Sequence, residues 1–171
     1  IANEHRVRIH LLTLQQKTKD IKMTNNNWYK NEEEEKLAEK LISMEKAALK
    51  KWFTGDSSGY RDLWSKKNFS YFDAVCVNRV DTYDEIAKLA TERVDGKLYA
   101  KHYEVRNERV QAAKDMAVLT YQLYCESNLI NINYNCIEVF QKEEDDWHVI
   151  HSTWSVIRPM EMDFSAMKEI V

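Results

Sequence analysis

The sequence predicts an α+β fold: a strongly curved antiparallel sheet wrapped around a long N-terminal helix. Three observations carry that expectation. Residues 32–53 place apolar side chains every three to four positions. From Leu98 onward the period changes to two, in four segments separated by polar turns. With one Pro and three Gly in 171 residues, few positions can break a helix or take a positive φ, so long regular elements follow.

The elements can be taken in order. Asn31 is placed to cap the first helix, and Glu32 to Glu35 occupy its first turn, where the helix dipole favours anions. Leu37, Leu41, Met44, Ala48 and Trp52 form its apolar stripe, widened by Leu49 and Phe53, and Lys50 and Lys51 close it. Thr54-Gly55-Asp56-Ser57-Ser58-Gly59 is the strongest turn signal in the chain. A short helix then carries Tyr60, Leu63 and Trp64, and residues 69–77 read as a strand. Thr82 caps a further helix from Tyr83 to Val94, stopped at Asp95-Gly96. Strands are expected over 98–110, 115–126, 130–142 and 146–157. Helices followed by a meander of strands make an α+β plan.

Composition narrows the function. Hydrophobic residues make up 44% and charged residues 31%, as in ordinary globular domains. A net charge of −3 offers no electrostatic case for nucleic acid. No apolar run approaches the ~18 residues of a membrane span. Three cysteines (Cys76, Cys125, Cys136) without C-x-x-C spacing fit a reducing, cytoplasmic setting. Residues 1–27 are basic and read as an N-terminal arm, with 28–171 as one domain. The apolar stretch Ile9, Leu11, Leu12, Leu14 is too short and interrupted for a signal-peptide core, and Met23 could be an alternative start. The five histidines lack H-x-x-x-H spacing, and no phosphate loop, G-x-G-x-x-G or G-x-S-x-G occurs. Neither a metal nor another cofactor is expected.

An ordered set of pieces says more. Trp52-Phe53-Thr54-Gly55-Asp56 ends the first helix. Tyr71-Phe72-Asp73, Asp115-x-Ala117-Val118-Leu119-Thr120 and Asn135-Cys136-Ile137-Glu138-Val139-Phe140 follow. Trp147-x-Val149-Ile150-His151-x-x-Trp154-Ser155 and Pro159 close the set. In this order they resemble the SnoaL-like, nuclear-transport-factor-2-like superfamily. The last piece is also similar to the association domain of calmodulin-dependent kinases. The resemblance implies a cone-shaped fold with a pocket at its wide end and a homodimer formed through the sheet.

The resemblance also implies site residues. In ketosteroid isomerase, which shares this fold, the proton-abstracting Asp matches Asp73, although Ala74 stands where that family usually has Pro. Its hydrogen-bonding acid matches Glu138. Its helix Tyr matches Ala48, so the chain departs from the family there, and Tyr99, Tyr103, Tyr121 or Tyr134 would have to substitute. Competing structural readings stay open: Asp73 capping a turn or pairing with Arg79, and Glu138 paired with Arg106 or Arg109. His151 is either a proton shuttle or a hydrogen-bonded structural group. Strict alternation puts Trp147, Val149, His151 and Thr153 on one face and His148, Ile150, Ser152 and Trp154 on the other. Trp52, Tyr71, Tyr121, Phe140 and Trp154 are candidate ligand contacts. A homodimeric domain that binds a small apolar or carbonyl ligand is thus expected. The alternatives are an enzyme of proton transfer on a carbonyl compound and, third, an association module.

Overall fold

The computed structural model describes residues 28–161 apart from Val75 and Ile130. The expected arm, 1–27, lies outside the described residues. Two compact units divide the chain, 1–37 and 38–171. In the first, helix α1 (Glu32–Trp52) begins where Asn31 Oδ1 accepts from the backbone N–H of Glu34 at 2.9 Å, the expected cap.

The second unit contains the rest of α1, α2 (Ser58–Leu63), β1 (Ser70–Asp73), α3 (Tyr83–Val94), β2 (Ala100–Ala113), β3 (Met116–Ser127), β4 (Tyr134–Glu143), β5 (Asp146–Val156) and a 3₁₀ turn, Pro159–Glu161. The strands form one curved, open sheet in the order β1-β5-β4-β3-β2. β2 to β5 are an antiparallel meander, as the period-two segments predict. The sheet is not wholly antiparallel, however, because β1 returns beside β5 in parallel.

Most strand boundaries shift by one to three residues from the expectation, and the two largest shifts have local reasons. β1 stops at Asp73 because the Asp73 carbonyl accepts from Cys76 N–H in a turn, and Val80 then folds back to bond Tyr71 in both directions. β4 starts at Tyr134 because Asn131 and Asn133 turn their side-chain oxygens to the backbone N–H groups of Ser127 and Cys125. Such side-chain bonds replace the ladder over 131–133. The helix over Tyr83 to Val94 is capped as expected: Thr82 Oγ1 accepts from Glu85 N–H while Glu85 Oε2 accepts from Thr82.

Bulges bend the sheet. In β2 the register shifts between Arg106 and Arg109, where Asn107 takes φ 58°; Asn tolerates this left-handed region better than most residues. In β5 the register shifts at Ile150, since Phe140 faces Val149 while Val139 faces His151. A bulge strengthens the local twist and reverses the alternation beyond it. The predicted face assignment of β5 is therefore corrected. Trp147 and Val149 share the inner face with Ser152 and Trp154, and His151 and Thr153 lie on the outer face.

The inner face packs on α1. Leu41, Ala48 and Leu49 of α1 and Leu119, Leu123, Phe140 and Val149 of the sheet are all buried in the core. Each of the leucine, phenylalanine and valine side chains among them contributes about 1.5–3 kcal/mol through burial. Gly59, expected in a turn, instead sits inside α2. A Cβ there would lie 2.9 Å from Ala48 Cα. The missing side chain is what lets α2 press onto α1 and bring Tyr60 to its partner. No helix among the described residues is long and apolar enough to cross a membrane.

Candidate functional site

Between α1, α3 and the inner face of the sheet lies a cavity of about 200 Å³. That exceeds the ~150 Å³ hollow known to admit benzene in another protein. α1 and the chain after it supply Leu49, Trp52, Phe53, Tyr60 and Trp64, and α3 supplies Ile86, Arg93 and Val94. The sheet adds Tyr71, Asp73, Leu123, Cys125, Tyr134, Ser152 and Trp154. Aromatic edges hold this wall together. Trp154 meets Tyr134 at 5.6 Å and Tyr121 at 6.1 Å, edge to face, and Tyr60 stacks on Trp64 at 5.5 Å.

Asp73 lines this cavity. Alternation along β1 puts Tyr71 on the same face, and its hydroxyl donates to Asp73 Oδ2 at 2.7 Å. Burial, then the Asp73 charge, pushes the Tyr71 phenol well above its usual pKa, so it remains a protonated donor. Arg79, the rival partner for Asp73, is engaged by Asp81.

Glu138 is fully buried and does not line the cavity. It pairs with neither expected arginine: Arg106 bonds Glu104 and covers the Tyr124 ring. Its Oε1 instead lies 2.8 Å from Ser152 Oγ, which accepts from Trp154 Nε1 at 2.7 Å. Ser152 and Trp154 both line the cavity, so Glu138 sits one side chain behind its wall.

Beside Glu138 lies a second buried carboxyl, Glu45 of α1, 1% exposed. Its Oε1 accepts from Tyr60 and, at 2.6 Å, from Tyr121. Burial raises the Glu45 pKa to about 7 against the pull of the two phenols. Burial and the neighbouring Glu45 push Glu138 well above the carboxylate range. Both phenols and the Cys136 thiol are pushed upward by burial and by these carboxyls, so all three are neutral. Sequence reasoning missed Glu45. The signal was present: Leu41, Glu45 and Leu49 are spaced by four, which seats a charge in the middle of the buried stripe.

The other candidates divide. Trp52, Tyr71 and Trp154 line the cavity. Phe140 and Tyr121 are core side chains that do not, with Tyr121 serving Glu45 instead. His151 faces away from the cavity. Its ring nitrogens bond Ser70 Oγ at 2.8 Å and Thr153 Oγ1 at 2.7 Å, the arrangement of a satisfied structural group.

A family model described as a SnoaL-like domain matches residues 46–159. Among solved structures, a candidate ketosteroid isomerase from Parabacteroides distasonis is 25% identical. It covers 80% of this chain and 96% of its own, with a TM-score of 0.63. An NTF2-like protein from Cytophaga hutchinsonii is 13% identical, covering 70% and 97%, at a TM-score of 0.59. A candidate calcium/calmodulin-dependent kinase II association domain from Exiguobacterium sibiricum is 11% identical, covering 70% and 92%, at 0.56. These last two establish shared fold alone. Among curated proteins nothing matches the sequence.

The raised Glu45 pKa has a consequence for stability. Between the ordinary value of 4.5 and about 7, the folded state holds a proton that the unfolded chain has released. Stability therefore falls as pH rises through that window, and the penalty is fully present above it. Glu45→Gln removes the titration. The variant is expected to match the wild type near pH 4.5 and to exceed it by roughly 3 kcal/mol above pH 7. Urea unfolding at several pH values measures this; a difference that stays flat with pH would refute the shifted titration.

Proposed function

Since the chain belongs to the SnoaL-like domain family, we propose that it binds a small, mostly apolar molecule in the aromatic cavity. The single observation that carries this is the cavity itself. Its walls are aromatic and aliphatic, with a few polar groups, Asp73, Ser152 and Arg93 among them, to orient a guest. That combination is the usual make-up of a ligand site. Cys125 lines the wall and is only half-buried, its thiol pushed up to about 11 by burial. Cys125→Trp is expected to fill the space and weaken binding of naphthalene-sized probes at least tenfold. Intrinsic tryptophan quenching reads the loss, and unchanged affinity would place the ligand elsewhere.

A second reading is proton transfer on a carbonyl compound, with Asp73 as base. Asp73 opens onto the cavity beside the Tyr71 hydroxyl, and one similar structure is named a candidate ketosteroid isomerase. Asp73 would take the proton from the carbon next to the carbonyl and return it to the enolate. Ala48 occupies the helix position of that family's tyrosine, which argues against steroid isomerisation in particular. Deuterium exchange into enolisable ketones, followed by NMR, is expected to drop at least ~100-fold in Asp73→Asn. Equal exchange by the variant rejects Asp73 as the base.

The outer sheet face supports self-association. Phe72 and Ile137 are 47% and 40% exposed there, in line with Thr153 and Val139. Exposed apolar side chains grouped on one sheet face favour a partner surface. A homodimer is expected by sedimentation, and Ile137→Glu is expected to shift it toward monomer. A monomeric wild type at high concentration would exclude this arrangement.

A further inference from the structure

We propose that Ser152 is the hydrogen-bond donor in the cavity wall, positioned from behind by Glu138. The cavity thereby selects a flat apolar molecule with one oxygen acceptor at its buried end. The inference rests on the ligand-binding reading above and deepens it.

A serine hydroxyl has one proton and two acceptor lone pairs. The Trp154 indole N–H takes one lone pair of Ser152 Oγ at 2.7 Å. Glu138 Oε1 stands 2.8 Å away on the other side. Were Glu138 ionised, the serine proton would be committed to it and nothing would remain for a guest. A protonated Glu138 reverses the bond: its O–H fills the second lone pair, and the serine proton is left with the cavity that Ser152 lines.

The surroundings select the second arrangement. Glu138 is 0% exposed, and among the described residues its Oε2 has no hydrogen-bond partner. Among the described residues, no Lys, Arg or His pairs with it or with Glu45. Glu45 from α1 receives two phenol donors, Tyr60 from α2 and Tyr121 from β3, which fits it to carry the negative charge of the pair. Cys136 of β4, the remaining titratable group facing the two carboxyls among the described residues, is a neutral thiol. One anion beside one neutral acid is the stable division of charge for two neighbouring buried carboxyls. The family's direct carboxyl donor is thus set back by one residue, and a hydroxyl stands in front of it.

Two probes of similar shape test this, 2-acetylnaphthalene and 2-ethylnaphthalene, titrated into the full chain and followed by tryptophan quenching and by the infrared carbonyl stretch. The wild type is expected to bind the ketone about tenfold more tightly, the worth of one net hydrogen bond, and to lower its carbonyl frequency. Ser152→Ala is expected to remove both effects while still binding 2-ethylnaphthalene. Glu138→Gln is expected to keep both, because its amide N–H can donate to Ser152 Oγ. Rising pH is expected to erase the wild-type preference as Glu138 ionises. Glu45→Gln, which removes the neighbouring charge, is expected to lose it at lower pH, and Glu138→Gln to hold it throughout. The wild-type pH profile needs no substitution and decides the matter if a variant fails to fold. Equal binding of the two probes by the wild type, or a preference that survives Ser152→Ala, overturns the donor assignment and spares the cavity. Binding of neither probe overturns both.

Discussion

Burying two carboxyls with no cation beside them among the described residues is the constraint around which this molecule is built. Glu45 and Glu138 come from different elements, α1 and β4, and neither can reach water. Placing a charge in such a setting costs far more than any single apolar contact returns, unless the charge is neutralised or solvated by donors. Here both remedies are used. Two phenols converge on one oxygen of Glu45, and a hydroxyl meets Glu138. Tyr60 must arrive from α2, which requires α2 to lie close on α1, which in turn requires glycine at 59. The polar network and the packing of the helices therefore specify one another.

The same network joins the core to the cavity. Tyr60 and Ser152 each bond a buried carboxyl and line the cavity, and Trp154, also on the wall, bonds Ser152. A guest touching this wall meets side chains whose protons are already assigned by groups behind them. Such preorganisation is how a mostly apolar hollow can recognise one polar atom without reorganising around it. Asp73 stands apart from the cluster, with its own phenol donor and a more open setting. The carboxyl that lines the cavity is thus separate from the two buried behind its wall.

The bulge at Ile150 decides which side chains take part. Without it, strict alternation would bring His151 inward in place of Ser152, and a titrating imidazole would sit against Glu138. One extra residue turns the histidine to the outer face, where Ser70 and Thr153 hold both ring nitrogens. It also turns Ser152 and Trp154 inward. A single backbone irregularity thereby exchanges a cationic candidate for a neutral hydroxyl.

Periodicity by itself determined the α+β class, the capped helices at Asn31 and Thr82, and the meander from residue 100 to 156. These features depend on neighbours three, four or two positions apart, which a chain carries in its own order. Asp73 and the aromatic lining of Trp52, Tyr71 and Trp154 were legible for the same reason together with the family pattern. Tertiary structure alone decided the rest. The parallel return of β1, the inward turn of Ser152 and the meeting of Glu45 with Glu138 each join residues 60 to 100 positions apart or hinge on one bulge. Spacing along a chain records which face a side chain shares with its neighbours. It does not record what lies across the core, and there the energy of a buried charge is settled.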